Sequence, residues 1–183
     1  MIQILCILIP LVGLTVIVPY IQQKYSPKQV RWLILGTFIA YMLGNLYFTM
    51  FSRTLDSGQH LELQPFRTYG RLFEEDKIKS TATGFAALFL SNTLPVEGLI
   101  LNILLYYPLG YLLLILLPKL KPKYVILIGC LCSIVTEVSQ YVLKLGWCET
   151  DDVIHNTVGT AIGVWMWHLQ FKHLKISVVE SKE

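Results

Sequence analysis

Residues 124–145, YVILIGCLCSIVTEVSQYVLKL, are apolar for most of their length and yet contain an acid, Glu137. At ~1.5 Å per residue, a helix of about twenty apolar residues spans the ~30 Å hydrocarbon core of a bilayer. A charged residue near the centre of such a helix costs roughly 2.5 to 3.5 kcal/mol on insertion scales. The ten Val, Ile and Leu residues between 125 and 143 offset this cost at about 0.3 to 0.6 kcal/mol each. The stretch therefore predicts a membrane helix that retains one costly carboxylate.

The composition of the whole chain agrees with a membrane location. Of its 183 residues, 54% are hydrophobic and 15% are charged, whereas a soluble domain is about 45 to 50% apolar and about 25% charged. The 10 Tyr, 8 Phe and 4 Trp residues exclude a disordered chain. The net charge of +3 is too small to indicate a nucleic-acid partner. The four Cys lack the spacing of a disulfide framework or a zinc site.

Four further stretches meet the same test of length and hydropathy. They are residues 2–21, 30–51, 98–117 and 153–171. We therefore predict an all-α membrane protein with five transmembrane helices, in which residues 1–183 form a single domain. Residues 52–97 form a long polar connection. Its apolar stretch 84–95, GFAALFLSNTLP, is too short to cross the membrane and is predicted to be interfacial or re-entrant.

Lysine and arginine residues orient the predicted bundle. One side of the membrane would hold Lys24, Lys28, Arg31, Lys119, Lys121, Lys123, Lys172, Lys175 and Lys182. The other side would hold Arg53, Arg67, Arg71, Lys77, Lys79 and Lys144, mixed with most of the acidic residues. By the positive-inside rule the first side is cytoplasmic, so the N-terminus is outside and the C-terminus is inside. We thus predict a multi-pass protein of the cell membrane, with 52–97 as an extracellular loop.

Polar residues within the predicted helices lie at similar depths. Glu137 is eight residues before the outer end of its helix, or about 12 Å deep at ~1.5 Å per residue. Gln140 follows it on the same helical face. The corresponding residues of the other helices are Asn45, Asn102, Asp152 and Asn156. Because all of them lie in or beside the outer leaflet, we predict that they line one ligand-binding pocket that is open to the exterior.

Four residues are predicted to govern helix packing. They are Pro108, Gly110, Gly159 and Gly163. The two glycines of the last helix form a G-x-x-x-G pair on the face that carries Asn156, and the neighbour expected on this face is helix 124–145. The proline and the glycine that follows it in the third helix are more typical of a kink.

Glu137 and Asp152 would need a proton, a cation or an arginine if their carboxylates lie close together. The candidates for the counter-charge are Arg53, Arg67 and Arg71. A divalent cation is a further possibility, but we predict neither a metal nor a cofactor. Structural roles remain open for the same residues, since an acid at the start of a helix interacts favourably with the helix dipole and an asparagine can join two helices by hydrogen bonds.

Four strings of the sequence resemble the VanZ-like family of small bacterial membrane proteins. They are LELQPF at 61–66, NILLYYPLGYLL at 102–113, TEVSQY at 136–141 and DDVIHNTVGTAIG at 151–163. The order and spacing of these motifs resemble the family over about residues 59–171. One departure lies in the turn before the last helix, where relatives often carry Arg and Asp and this chain has Gly146 and Glu149.

The resemblance implies a role in resistance to teicoplanin-type glycopeptides in Gram-positive bacteria. Since glycopeptides act on the exterior leaflet, the pocket is predicted to bind a membrane lipid or a lipid-linked cell-wall precursor by its head group, and thereby to alter how a lipoglycopeptide docks. One alternative is a small transporter or flippase, favoured if the third helix is broken at Pro108. Another is a membrane enzyme that uses Glu137 or Asp152 as a general base. A role without catalysis is favoured, and the oligomeric state is not predicted.

Overall fold

Five helices account for most of the residues that the computed structural model describes, which are 2–51, 60–67 and 94–171. The helices are α1 (Ile2–Lys24), α2 (Pro27–Leu46), α3 (Leu94–Leu116), α4 (Pro122–Val142) and α5 (Thr150–Phe171), with strands β1 (His60–Glu62) and β2 (Trp147–Glu149). The five predicted helices are all present. The predicted interfacial stretch lies outside the described residues, except that its last two residues begin α3.

Three of the five helices are long and apolar enough to cross a membrane. The corresponding segments are Pro27–Met50, Gly98–Leu116 and Pro122–Val142. Crossing by α1 and α5, and the orientation of the bundle, stay predictions. The α1–α2 turn and the α3–α4 loop share one end of the bundle, the basic end, because the start of α2 and the end of α3 with the loop that follows it line one cavity. The two strands lie at the opposite end, which we call the strand end.

Helices α2 and α4 begin where the sequence supplies starting signals. Pro27 and Pro122 stand in the first turns, where the fixed φ of proline suits a helix and its missing N–H is not needed. At α2, Ser26 and Gln29 form a capping box. Helix α4 ends as the amide of Leu145 donates to the carbonyl of Gln140, at 2.9 Å, and Lys144 takes a left-handed φ of 57°. These signals place the helix ends within a few residues of the predicted bounds.

A small sheet at the strand end is present in addition to the predicted helices. Strands β1 and β2 pair in parallel, with His60 opposite Trp147 and Glu62 opposite Glu149. Each strand has only three residues, which is too short to show an alternating pattern, and the partners are more than eighty residues apart. The sequence therefore contained no readable signal for this pairing. It joins the loop after α2 to the turn before α5.

The closest helix contact lies between α3 and α5, which corrects the predicted neighbour of the G-x-x-x-G pair. A Cβ atom on Gly159 would overlap the carbonyl oxygen of Ile103, and one on Gly163 would overlap that of Tyr107. A Cβ on Gly110 of α3 would overlap the carbonyl oxygen of Thr160. Glycines on both helices thus let the two backbones touch. The prediction chose α4 because α4 precedes α5 in sequence, but a neighbour in sequence is not always the neighbour that packs most closely.

Helix α3 continues without a break through Pro108, although this residue cannot donate a hydrogen bond to the preceding turn. The structure therefore lacks the mid-depth break that would have favoured a transporter. The hydroxyl of Tyr41 donates to the carbonyl of Leu105, three residues before the proline, at 2.9 Å. Asn45 donates to the same hydroxyl at 3.3 Å. Helix α2 thus supplies a donor where the proline loosens the hydrogen bonds of α3.

Replacing Tyr41 by Phe should lower the free energy of unfolding by about 0.5 to 1.5 kcal/mol, because the Leu105 carbonyl then loses a donor inside the bundle. The loss can be measured by titrating the protein with denaturing detergent in mixed micelles and following its circular dichroism. Tyr47→Phe is the matched control, since Tyr47 is 60% exposed. Equal stability of the two variants would contradict a supporting role for the Tyr41 hydroxyl.

Candidate functional site

Four buried polar side chains lie together between α4 and α5, and we call them the polar cluster. They are Ser133, Glu137, Gln140 and Asn156, each no more than 3% exposed. The three on α4 follow the spacing i, i+4, i+7 and so share one helical face. The side-chain amide of Asn156 crosses from α5 and donates to the hydroxyl of Ser133 at 2.8 Å. The face predicted from the sequence is therefore turned towards α5 and is covered by it.

Glu137 connects α4 to the small sheet. Its carboxylate accepts a hydrogen bond from the backbone amide of Glu149 in β2, at 3.0 Å. Glu137 lies five residues before Val142, the last residue of α4, or about 8 Å from the helix end. A buried carboxylate at this depth is expensive unless donors surround it. The backbone of β2, at the strand end, supplies one such donor to the Glu137 carboxylate.

Gln140 connects α4 to the end of α2. There the chain forms a π-helical turn, Tyr47–Phe51, and the side-chain amide of Gln140 donates to the carbonyl of Thr49 at 3.0 Å. The hydroxyl of Thr49 in turn donates to the carbonyl of Asn45 at 2.8 Å. A π-helical turn shifts the backbone hydrogen bonds of a helix by one residue and is frequent at functional sites. Gln140 therefore donates a hydrogen bond to backbone that departs from the regular α-helix.

Two oxygen atoms of the polar cluster accept no hydrogen bond from any residue that the structure describes. They are the side-chain carbonyl oxygens of Gln140 and Asn156, and both are fully shielded. An unsatisfied buried acceptor costs about 1 to 3 kcal/mol. The cluster is therefore rich in acceptors and short of donors on the described part of the chain.

Asn45 and Asn102 do not join the polar cluster, in contrast to the prediction of a single pocket. Asn45 lines a separate cavity of about 320 Å³ between α2, α3 and α4, whose polar wall also includes Tyr106 and Thr136. Asn102 is half-buried, and its side chain makes no hydrogen bond with another described residue. The prediction grouped these residues by their depth along each helix. Depth does not specify the direction in which a side chain points around the helix axis, and Asn45 points into the separate cavity.

Asp151, and not the predicted Asp152, is the deeply buried acid at the start of α5. Asp151 is 3% exposed and accepts a hydrogen bond from the amide of Phe66 at 2.5 Å, whereas Asp152 is half-buried. Phe66 has a left-handed φ of 65°, which is unfavourable for a residue with a side chain. The Asp151 carboxylate therefore stabilises a loop residue whose backbone conformation is unfavourable. No sequence signal indicated this contact, because it joins residues 85 positions apart.

Asp152 remains close to Glu137 through their shared neighbour Cys148 in β2. Burial raises the pKa of the Cys148 thiol, and the negative charges of Glu137 and Asp152 raise it further. Both carboxylates are thus near enough to act on the same sulfur. A raised pKa also makes Cys148 a poor nucleophile, since the thiolate is the reactive form.

Of the three candidate counter-charges, the structure describes Arg67 alone, because Arg53 and Arg71 lie outside the described residues. The guanidinium of Arg67 forms an ion pair with Glu62 in β1. Its positive charge is thus placed on the sheet that covers Glu137. The described ion pair of Arg67 is therefore with the sheet, whereas the sequence made it a candidate counter-charge for Glu137 and Asp152 of the helices.

The chain matches a known protein family. A family model described as VanZ/LLP1 matches residues 38–171, which is well over half of the chain and includes the whole polar cluster. No curated protein and no solved structure matches the chain.

Removing either nearby carboxylate should make Cys148 more reactive. In a variant that retains Cys148 as its only cysteine, Glu137→Gln and Asp152→Asn should each lower the thiol pKa, because a negative charge no longer opposes ionisation. Below the pKa the rate follows the thiolate fraction, so alkylation at pH 8 should become roughly severalfold faster. Maleimide labelling rates measured from pH 6 to 10 test this. Glu149→Gln is the control, since neighbouring side chains of a strand point to opposite faces; equal acceleration in the control would contradict the assignment.

Replacing Asp151 by Ala should release the loop that carries Phe66. Because the Phe66 amide then lacks its acceptor and its unfavourable φ is no longer compensated, we expect a stability loss of about 1 to 3 kcal/mol. Hydrogen exchange measured by mass spectrometry should accelerate over residues 60–67. Asp152→Ala removes the same charge from the same helix end and should leave exchange there nearly unchanged. If both variants accelerate exchange equally, the effect comes from the helix dipole and not from the hydrogen bond.

Proposed function

Because this chain belongs to the VanZ/LLP1 family, we propose that it is a multi-pass protein of the Gram-positive cell membrane that modulates susceptibility to teicoplanin and related lipoglycopeptides. In this proposal all five helices cross the membrane, with the strand end outside and the basic end inside. The polar cluster then lies just beneath the outer surface, where it binds the head group of a lipid or of a lipid-linked cell-wall precursor. The bound head group alters how a lipoglycopeptide docks at the membrane.

The distribution of charge supports this orientation. Lys119, Lys121 and Lys123 lie within six residues at the basic end, and Lys28 and Arg31 lie there on α2. The first turn of α5, at the strand end, contains the acids Asp151 and Asp152. Short loops rich in Lys and Arg are retained on the cytoplasmic side. The basic end is thus proposed to face the cytoplasm.

The observation that carries the proposal is the pair of shielded acceptors, Gln140 Oε1 and Asn156 Oδ1, beside the Glu137 carboxylate. A partner for these oxygens must bring N–H or O–H donors. Ammonium groups of lipids, sugar hydroxyls and peptide amides of wall precursors are such donors, and all of them are exposed at the exterior surface. An anionic or purely apolar ligand would not satisfy this site.

The proposal predicts that the charge of Glu137 is needed for altered susceptibility. Glu137→Gln has the same shape and keeps an oxygen that can accept from the Glu149 amide, so the fold should survive while the charge is lost. Cells that express this variant should return to the teicoplanin susceptibility of cells without the protein. Asn156→Leu, which removes the Oδ1 acceptor, should do the same. Minimum inhibitory concentrations are compared at equal protein levels in the membrane.

Ser139→Ala is the matched control for this experiment. Ser139 lies between Glu137 and Gln140 in sequence, but its hydroxyl donates to the carbonyl of Val135 in its own helix, at 2.6 Å. Its replacement should leave susceptibility unchanged. Wild-type susceptibility in both the Glu137→Gln and Asn156→Leu variants would overturn the proposal.

A further inference from the structure

A second cavity lies at the basic end, far from the polar cluster. Its volume is about 720 Å³, within the ~300 to 1,000 Å³ typical of ligand sites. It opens between the start of α2 and the loop from α3 to α4. Three of its lining residues are cations, namely Lys28, Arg31 and Lys119. Two chain segments that are almost ninety residues apart therefore line one cavity, and the opening of this cavity is positively charged.

The three cations form no ion pair with any described residue, although all three are exposed. No acid occurs in the first turn of α2 or of α4, the two helices that begin at this end. A helix N-terminus favours acids and disfavours a lysine such as Lys28. The charges thus repel one another and oppose the dipole of α2, so folding stability does not account for their placement. The positive-inside rule accounts for the side of the membrane on which they lie, and an anion in the cavity would account for their convergence on one opening.

The wall of the cavity changes from charged to apolar along α2. Lys28 and Arg31 lie at its mouth, whereas Val30 and Ile34 are only 2% exposed. From Lys28 to Ile34 the helix rises about 9 Å. The end of α3 contributes more apolar surface through Ile115 and Leu116. A ligand that fits this cavity has an anionic head and an apolar chain that enters beside it.

We propose that the cavity binds one anionic phospholipid, with its phosphate between Lys28, Arg31 and Lys119 and the upper part of an acyl chain against Ile34 and Ile115. Basic cavities between membrane helices on the cytoplasmic side suit acidic lipid head groups. The lipid comes from the cytoplasmic leaflet if the orientation proposed above holds, and this choice of leaflet is the one point that rests on the proposed function. The site is otherwise independent of the polar cluster.

Native mass spectrometry of the full chain in detergent micelles tests the proposal. The probes are dioleoyl-phosphatidylglycerol and dioleoyl-phosphatidylcholine, which share their acyl chains and differ in net charge. The wild-type protein should bind the phosphatidylglycerol at least about tenfold more tightly, since each basic residue near an anionic head group contributes roughly a fivefold gain, whereas the choline ammonium of phosphatidylcholine offsets the charge of its phosphate. The triple variant Lys28→Gln, Arg31→Gln, Lys119→Gln should lose this preference.

A second triple variant provides the matched control. Lys24→Gln, Lys121→Gln and Lys123→Gln remove the same net charge from the same end, but these residues do not line the cavity. This variant should retain most of the preference for phosphatidylglycerol. Equal loss in both triple variants would overturn the proposal in favour of general charge attraction. All substituted residues are exposed, and circular dichroism melting confirms that each variant is folded.

Competition with inorganic phosphate separates a lipid site from a plain anion site. Millimolar phosphate at constant ionic strength should displace little lipid, because the acyl chain contributes to binding. Full displacement would show a phosphate site and overturn the assignment to a lipid. This test can fail without the proposed function failing. Teicoplanin susceptibility is measured with substitutions in the polar cluster, whereas lipid binding is measured with substitutions at the opposite end of the bundle.

Discussion

The direct contact between the backbones of α3 and α5 is the constraint on which the rest of the structure depends. Gly159 and Gly163 leave no room for a side chain against α3, and Gly110 leaves none against α5. With α5 held in this groove, an adjoining side of α5 meets α4, where Thr160 packs against Gly129. One turn earlier on α5, Asn156 then reaches Ser133. The polar cluster is therefore a consequence of how closely three helices approach, and a larger residue at any of these glycines would move the cluster apart.

Three buried polar side chains of the helices share one structural task, which is to bind backbone outside the regular α-helices. Glu137 accepts from β2, Asp151 accepts from the loop after β1, and Gln140 donates to the π-helical turn after α2. Irregular backbone near membrane depth is tolerated only where protein groups satisfy it. These contacts explain why the three residues are polar, but the side-chain oxygens of Gln140 and of Asn156 still accept no hydrogen bond from the described part of the chain.

Much of the helical part of the fold could be predicted from the sequence, because length, hydropathy and starting signals such as Ser26–Pro27 act locally. The face shared by Ser133, Glu137 and Gln140 was predictable for the same reason, since helical spacing alone determines it. What could not be predicted depends on contacts between distant residues. Two examples are the pairing of β1 with β2 and the hydrogen bond from the Phe66 amide to Asp151, which join segments more than eighty positions apart. Asn45 lies apart from the cluster because the direction in which it faces depends on how α2 packs, which helical spacing does not specify.

The two ends of the bundle present opposite chemistry, and this contrast bears on what each end can bind. Near the strand end, the shielded groups are acceptors that call for donors; at the basic end, the cavity mouth carries Lys28, Arg31 and Lys119 and calls for an anion. The length of the helices, about 30 Å for twenty residues, keeps the two sets apart. An anionic lipid at the basic end would therefore fix the height of the bundle in the membrane, and with it the depth at which the polar cluster meets the opposite surface.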